Sequence, residues 1–98
     1  MKVKSSKNGS ACTLTVEGKI DTMTAPELDE AVKSNLPKCD KMIFDFTNVE
    51  YITSAGLRVL VYAHRELMKK GGVTVTGVNE SIKKVFTVTG MYKILKIK

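Results

Sequence analysis

One stretch, Tyr51-Ile52-Thr53-Ser54-Ala55-Gly56-Leu57-Arg58-Val59-Leu60, constrains the fold more than any other, because an extended segment gives way there to a short loop that opens directly into a helix. Leu57, Leu60, Val61, His64, Leu67 and Met68 recur at i, i+3, i+4, i+7, i+10 and i+11, one apolar stripe of an α-helix. That helix is expected from about Ser54 to Lys70, with Gly71-Gly72 as its flexible stop. Before it, Met42-Ile43-Phe44-Asp45-Phe46 is a nearly continuous apolar run of strand length, the pattern of a central strand covered on both faces. After it, Val73 to Val78 reads as the next strand. A strand, a helix and a strand in that order make a crossover between parallel strands, and such crossovers are almost always right-handed.

The rest of the chain supplies the neighbours of this unit. Residues 2 to 7 and 11 to 17 are two short strands around the hairpin signal Asn8-Gly9. In the second, Cys12, Leu14 and Val16 alternate with Thr13, Thr15 and Glu17, as in a half-buried strand. Gly18 ends it, and residues 19 to 23 form a connecting loop. Thr24-Ala25-Pro26-Glu27 has the spacing of a capping box, so a first helix begins there with Leu28, Ala31, Val32 and Leu36 facing the core and Pro37 stopping it. Thr47-Asn48-Val49-Glu50 is expected to turn the chain out of the central strand. Asn79-Glu80-Ser81 caps a third helix built on Ile82, Val85 and Phe86, with Gly90 at its end. The tail from Tyr92 to Lys98 has the apolar content of an edge strand, with lysines that discourage edge pairing. The order β-β-α-β-α-β-α-β predicts a single α/β domain, a mixed sheet of four to five strands with helices packed on it.

Composition narrows the function. Ninety-eight residues, 43% of them hydrophobic and 27% charged, suit one globular core rather than a disordered chain. No run of 18 apolar residues is present, and Met1-Lys2-Val3-Lys4 leads into polar residues instead of a signal core, so no membrane insertion is expected and the expected compartment is the cytoplasm. Cys12 and Cys39 have neither metal-ligand nor C-x-x-C spacing; one reads as a buried thiol and the other as a loop residue. The formal charge of +6 could serve nucleic acid, but the basic residues are dispersed, without interleaved aromatics or a nucleic-acid motif. A basic surface that meets an acidic partner protein explains the charge equally well.

Thr53 and Ser54 stand at the N-terminus of the second helix. A hydroxyl there can accept a hydrogen bond from an unpaired helix N–H, so either residue is most simply a cap. The same N–H donors and the positive end of the helix dipole also suit a phosphate, which makes Ser54 a candidate phosphate site. Gly56 either leaves the first turn open to another molecule or packs closely on the sheet. Arg58, Tyr62, Arg65 and Lys69 form a second stripe, of which Arg58 and Tyr62 lie one and two turns from Ser54; arginine and aromatic residues anchor interfaces. Asp21 is at its simplest a turn-forming aspartate. His64 has no companion for a metal site, and three turns of helix, on the order of 15 Å at 1.5 Å per residue, separate it from Ser54. No oriented acid and oxyanion site accompany the serine, so a hydrolase is not supported and neither cofactor nor metal is expected.

The segment Ser54-Ala55-Gly56-Leu57, between the strand Met42–Phe46 and Gly71-Gly72, resembles the signature of STAS domains, in particular the bacterial anti-sigma factor antagonists. In that family the loop reads roughly Asp-Ser-x-Gly-Leu and the serine is the phosphoacceptor; Thr53 stands where aspartate is usual. Gly18-Lys19-Ile20-Asp21 is similar to the Gly-x-x-Asp segment beside that serine. The resemblance spans essentially the whole chain. It implies a non-enzymatic protein that binds an anti-sigma factor with serine kinase activity, releases a sigma factor, is switched off by phosphorylation at Ser54, and is reset by a serine/threonine protein phosphatase. It brings Asp21 into an expected partner surface with Thr53, Ser54, Ala55 and Gly56, to which the helical stripe adds Arg58 and Tyr62. STAS domains also serve as accessory or regulatory subunits of membrane transport systems, which remains the alternative.

Overall fold

The computed structural model describes residues 1–98. The chain runs β1 (Lys2–Asn8), β2 (Ala11–Ile20), α1 (Ala25–Asn35), β3 (Lys41–Ile52), α2 (Ser54–Leu67), β4 (Gly72–Thr76), α3 (Glu80–Thr89) and β5 (Lys96–Ile97), with single 3-10 turns at Leu36–Lys38 and Met91–Lys93. The five strands form one sheet in the order β1-β2-β3-β4-β5. β1 is antiparallel to β2, and the remaining pairs are parallel. This is the mixed α/β architecture that the order of elements predicts. No helix is long and apolar enough to cross a membrane.

Three successive right-handed crossovers that step in one direction across a sheet place all their helices on the same face. The register agrees. Cys12 pairs with Met42 and Met42 with Val73; Leu14 pairs with Phe44 and Phe44 with Val75. All six are buried. The alternate rows, Ser6-Thr13-Ile43-Thr74 and Lys4-Thr15-Asp45-Thr76, are polar apart from Ile43 and, apart from Thr74, half-buried or exposed. The smallest extent of the backbone, 19 Å, has room for a sheet and one layer of helices. The expectation that β3 is covered on both faces is therefore corrected: Ile43 and Asp45 lie on an open face.

That face explains how a carboxylate sits within an apolar strand. Asp45 is in the body of the twelve-residue β3. Its Oδ1 accepts from the Thr47 hydroxyl at 2.6 Å and the Thr47 N–H at 3.0 Å. Those bonds, the hydroxyl first, hold its carboxyl below the usual carboxylate range.

Several boundaries differ from the sequence expectation. Thr47–Glu50 is strand rather than turn, because β2 continues through Gly18 to Ile20 and pairs with it: Glu17 opposes Asn48, Gly18 opposes Val49 and Ile20 opposes Ile52, with two register shifts on the way. Pro37 does not end α1 outright but sits in a 3-10 turn that follows it. The hairpin turn falls on Gly9-Ser10, since Asn8 pairs with Ala11. α2 ends at Leu67, and β4 at Thr76. The tail forms only a two-residue strand after its 3-10 turn. α3 follows the reading closely: the Asn79 side chain accepts from Ile82 N–H at 2.9 Å, and Gly90 closes the helix with φ at 77°.

Candidate functional site

β2 and β3 run side by side to their last paired residues, Ile20 and Ile52. The next residue on each strand opens a loop, so Asp21 and Thr53 leave the sheet as neighbours. One bond ties the loops: the Thr53 N–H donates to the Ile20 carbonyl at 2.9 Å. Register alone thus brings Asp21 beside the start of α2.

The Asp21 loop is held by a reciprocal pair of bonds. The Asp21 N–H donates to Thr24 Oγ1 at 2.9 Å, while Asp21 Oδ1 accepts from the N–H groups of Met23 at 2.9 Å and Thr24 at 3.0 Å. The Thr24 hydroxyl donates to the Lys19 carbonyl at 2.7 Å. The expected capping box at Thr24 does not form, since Thr24 makes no side-chain cap for α1. Its hydroxyl is engaged with Lys19 and Asp21, and the box-like exchange occurs three residues earlier. These bonds, led by the Thr24 N–H, lower the Asp21 carboxyl below its ordinary range and keep it charged at neutral pH.

Thr53 occupies the N-cap of α2 in extended backbone geometry, and its carbonyl accepts the first helical bond, from Leu57 N–H at 3.1 Å. Its side chain caps nothing. The hydroxyl is turned inward, buried and without a partner, so as a surface contact Thr53 offers little more than its backbone. Ser54 is the first helical residue and is exposed. Ala55 is half-buried and Arg58 exposed. Gly56 faces the core: a Cβ there would meet Ile20 Cγ2 at 2.5 Å and Ile52 Cγ1 at 2.7 Å. Close packing accounts for this glycine, which is buried beneath the exposed residues around it.

The buried face of α2 is Gly56, Leu57, Val59, Leu60, Ala63 and Leu67. It is rotated from the stripe read in the sequence, so that Val61 and His64 are only half-buried and Met68 is 58% exposed. The rotation turns Arg58 and Tyr62 toward α1. Together with Ala55 and Val59 they form one wall of an open groove of about 400 Å³, whose other wall is Thr22, Ala25, Pro26, Asp29 and Lys33. Lys33 spans the groove, paired with Asp29 Oδ2 at 2.9 Å and with its Nζ 5.6 Å from the centre of the Tyr62 ring. Arg58 and Tyr62 also border a second hollow on the far side of α2, with Leu57, Val61 and Arg65, and so form a ridge between two depressions. The α1 wall escaped the sequence reading. Its trace was the i, i+4 pair Asp29–Lys33 on the polar side of α1.

The site is therefore an exposed hydroxyl at a helix N-terminus, beside a rigid charged loop and an Arg–Tyr ridge, with no acidic residue in the first turn of α2. No group of His, Cys, Asp and Glu that could hold a metal ion accompanies it. The chain belongs to the STAS domain family, whose model matches residues 2–98, and within it to the anti-sigma factor antagonists. The anti-sigma-B factor antagonist of Listeria monocytogenes is 33% identical over 85 residues, 85% of this chain and 75% of that protein. Among solved structures, an anti-sigma factor antagonist from Mycobacterium paratuberculosis superposes with a TM-score of 0.89 at 24% identity, over 98% of this chain and 83% of the other. The antagonist SpoIIAA in its unphosphorylated form superposes with a TM-score of 0.84 at 14% identity, over 99% of this chain and 88% of the other.

Proposed function

We propose that this chain is a cytoplasmic, non-enzymatic antagonist that binds an anti-sigma factor with serine kinase activity, releases a sigma factor, and loses that affinity when Ser54 is phosphorylated. The observation that carries the reading is the exposed Ser54 hydroxyl at the first position of α2, flanked by the Asp21 loop and the Arg58–Tyr62 ridge. The partner surface comprises Asp21, Ser54, Ala55, Arg58 and Tyr62, with Thr53 and Gly56 holding it from beneath. A phosphoserine adds about −1.5 to −2 charges and three acceptor oxygens, which makes strongly negative a docking face on which Asp21 and Arg58 otherwise balance. Removal of the phosphate by a serine/threonine phosphatase restores the face. In this scheme nucleotide, metal and catalytic groups belong to the enzymes that act on the chain, which itself supplies a hydroxyl and a surface.

The test uses wild-type protein and Ser54→Asp as paired baits in host lysate, with phosphopeptide mapping of the wild type after incubation with ATP and the captured kinase. An ATPase-type kinase retained by the wild type alone, with phosphate on Ser54, is the expected result. Equal retention of transporter components by both baits would replace this reading with that of an accessory subunit. Phosphate found only elsewhere would remove Ser54 from the cycle.

A further inference from the structure

At the end of β3 opposite Ser54, two thiols that are 27 positions apart in the sequence meet in the core. Cys12 is the second residue of β2, and Cys39 follows the 3-10 turn that leads α1 into β3. Both are free, and they are 0% and 4% exposed. Both sulfurs approach the same oxygen, the Asn35 carbonyl, Cys39 Sγ at 3.2 Å and Cys12 Sγ at 4.0 Å. That carbonyl lies in the last turn of α1, where main-chain acceptors lack helical donors, and Cys39 N–H is directed to Leu36 instead. The surroundings are fixed: Asn35 Nδ2 donates to the Ala31 carbonyl at 2.7 Å, and the N–H of Asp40 donates to the Ser10 carbonyl at 2.7 Å. Burial and the neighbouring Cys12 thiol push the Cys39 thiol up to about 11. The two sulfurs thus share one acceptor, in a setting held by bonds that do not depend on either of them.

From this juxtaposition we infer that Cys12 and Cys39 form a redox site, which a hydroperoxide converts to an intramolecular disulfide tying the start of β2 to the segment that ends α1. Cys39, the less buried of the two residues, reacts first. Its thiolate attacks one oxygen of the peroxide, the O–O bond breaks, and the departing hydroxide takes a proton to become water, leaving a sulfenic acid on Cys39. The Cys12 sulfur then attacks Cys39 Sγ, loses its proton, and displaces the second oxygen as water. Two thiols and one hydroperoxide give one disulfide and two waters, or a water and an alcohol for an organic peroxide; the sulfurs are oxidised and the peroxide is reduced. Since the thiolate is the nucleophile and burial raises the Cys39 pKa, the step is slow near neutral pH and accelerates as pH rises.

The experiment uses the whole chain, fully reduced and treated with hydrogen peroxide at pH 7, 8 and 9, then alkylated and digested with trypsin without reduction. Peptide Asn8–Lys19 joined to Cys39–Lys41 should be the main product, in a monomeric protein that melts about 5 °C or more above its reduced form, as a staple closing a loop of this length predicts. Its rate of formation should rise at each step in pH. Disulfide-linked dimers as the main product, or two thiols that remain alkylatable after prolonged peroxide treatment, would overturn the assignment. Cys12→Ala, checked for folding by circular dichroism, gives the order of events: trapping of a Cys39 sulfenic acid by dimedone supports it. Equal loss of the two thiols in the wild type, with no cross-linked peptide, refutes it without reliance on any variant.

Discussion

At Thr53 the side chain best placed to cap α2 does not cap it, and the consequence is measurable. A buried hydroxyl without a partner keeps its desolvation cost, about 1–3 kcal/mol, and gives nothing back. Thr53 and Thr74 are the two such groups in the chain. Thr53→Val keeps the branched shape, loses no cap, and should raise stability by about 1 kcal/mol, read as a higher urea midpoint with an unchanged slope; a lower midpoint would mean that the hydroxyl has a partner in solution. Gly56 poses the opposite case three residues on. A methyl at Gly56 would overlap Ile20 and Ile52, both themselves buried at the ends of β2 and β3. Gly56→Ala should therefore cost about 1–3 kcal/mol by overpacking, despite the better helix propensity of alanine. A neutral or stabilising result in the same titration would show that α2 can ride up off the sheet ends without strain.

A negative charge at Ser54 would stabilise α2 while, on the proposed function, ending its docking, and the two effects can be measured apart. Its first turn has no acidic residue, and Ser54 is exposed there. A carboxylate at that position meets the positive end of the helix dipole, worth about 0.3–1 kcal/mol at low salt. Ser54→Asp should therefore melt slightly higher than the wild type in low-salt buffer while losing the partner; a bait that loses its partner because it has partly unfolded would instead melt lower. The loop ahead of α1 makes a claim about pH. Asp21 has a lowered pKa in the folded chain, from bonds that only its charged form makes well. Its contribution is thus present above the unfolded value near 3.9 and is lost as pH falls through the lower folded value. The urea midpoint of Asp21→Ala should lie below that of the wild type at pH 7, and the gap should close below about pH 4; a gap independent of pH would assign the loss to the loop's shape instead of its charge. Elements were legible where a local rule governed them. Asn79 and Gly90 bound α3 through chemistry within a few residues of themselves. The second half of β3 was not legible, because Thr47 to Glu50 looks like a turn by composition and is strand only through pairing with Glu17 to Ile20, a partner supplied by the fold. The site divides in the same way. Ser54 announces itself as the start of a periodic helix, whereas the α1 wall with Asp29 and Lys33 exists only because α2 is rotated from the face its most apolar residues suggest.

For the whole molecule, the decisive feature is that one sheet face is covered and the other is open, and β3 samples both with adjacent residues. Phe44 points into the layer between sheet and helices, where it is 0% exposed and meets Phe46 edge to face with ring centres 6.0 Å apart. Ile43 points the other way, half-buried in a row with Thr13 and Thr74. The sequence read both as core, since an apolar run does not reveal which of its residues face solvent. Truncation distinguishes them, because removing a packed aromatic side chain costs about 3–5 kcal/mol through lost burial and the cavity left behind. A half-exposed isoleucine on an open face forfeits only part of its area, at roughly 25 cal/mol per Å². Ile43→Ala should therefore cost about 1 kcal/mol in urea unfolding, and Phe44→Ala at least twice that. Comparable losses at both positions would mean that something covers the second face in solution. If the cover is another copy of the chain, the wild-type midpoint will rise with protein concentration and the Ile43→Ala midpoint will rise less, because stability gained by association follows mass action. A midpoint independent of concentration, with the two costs well apart, is the result expected of a single helix layer on a sheet whose threonine-rich face stands in water.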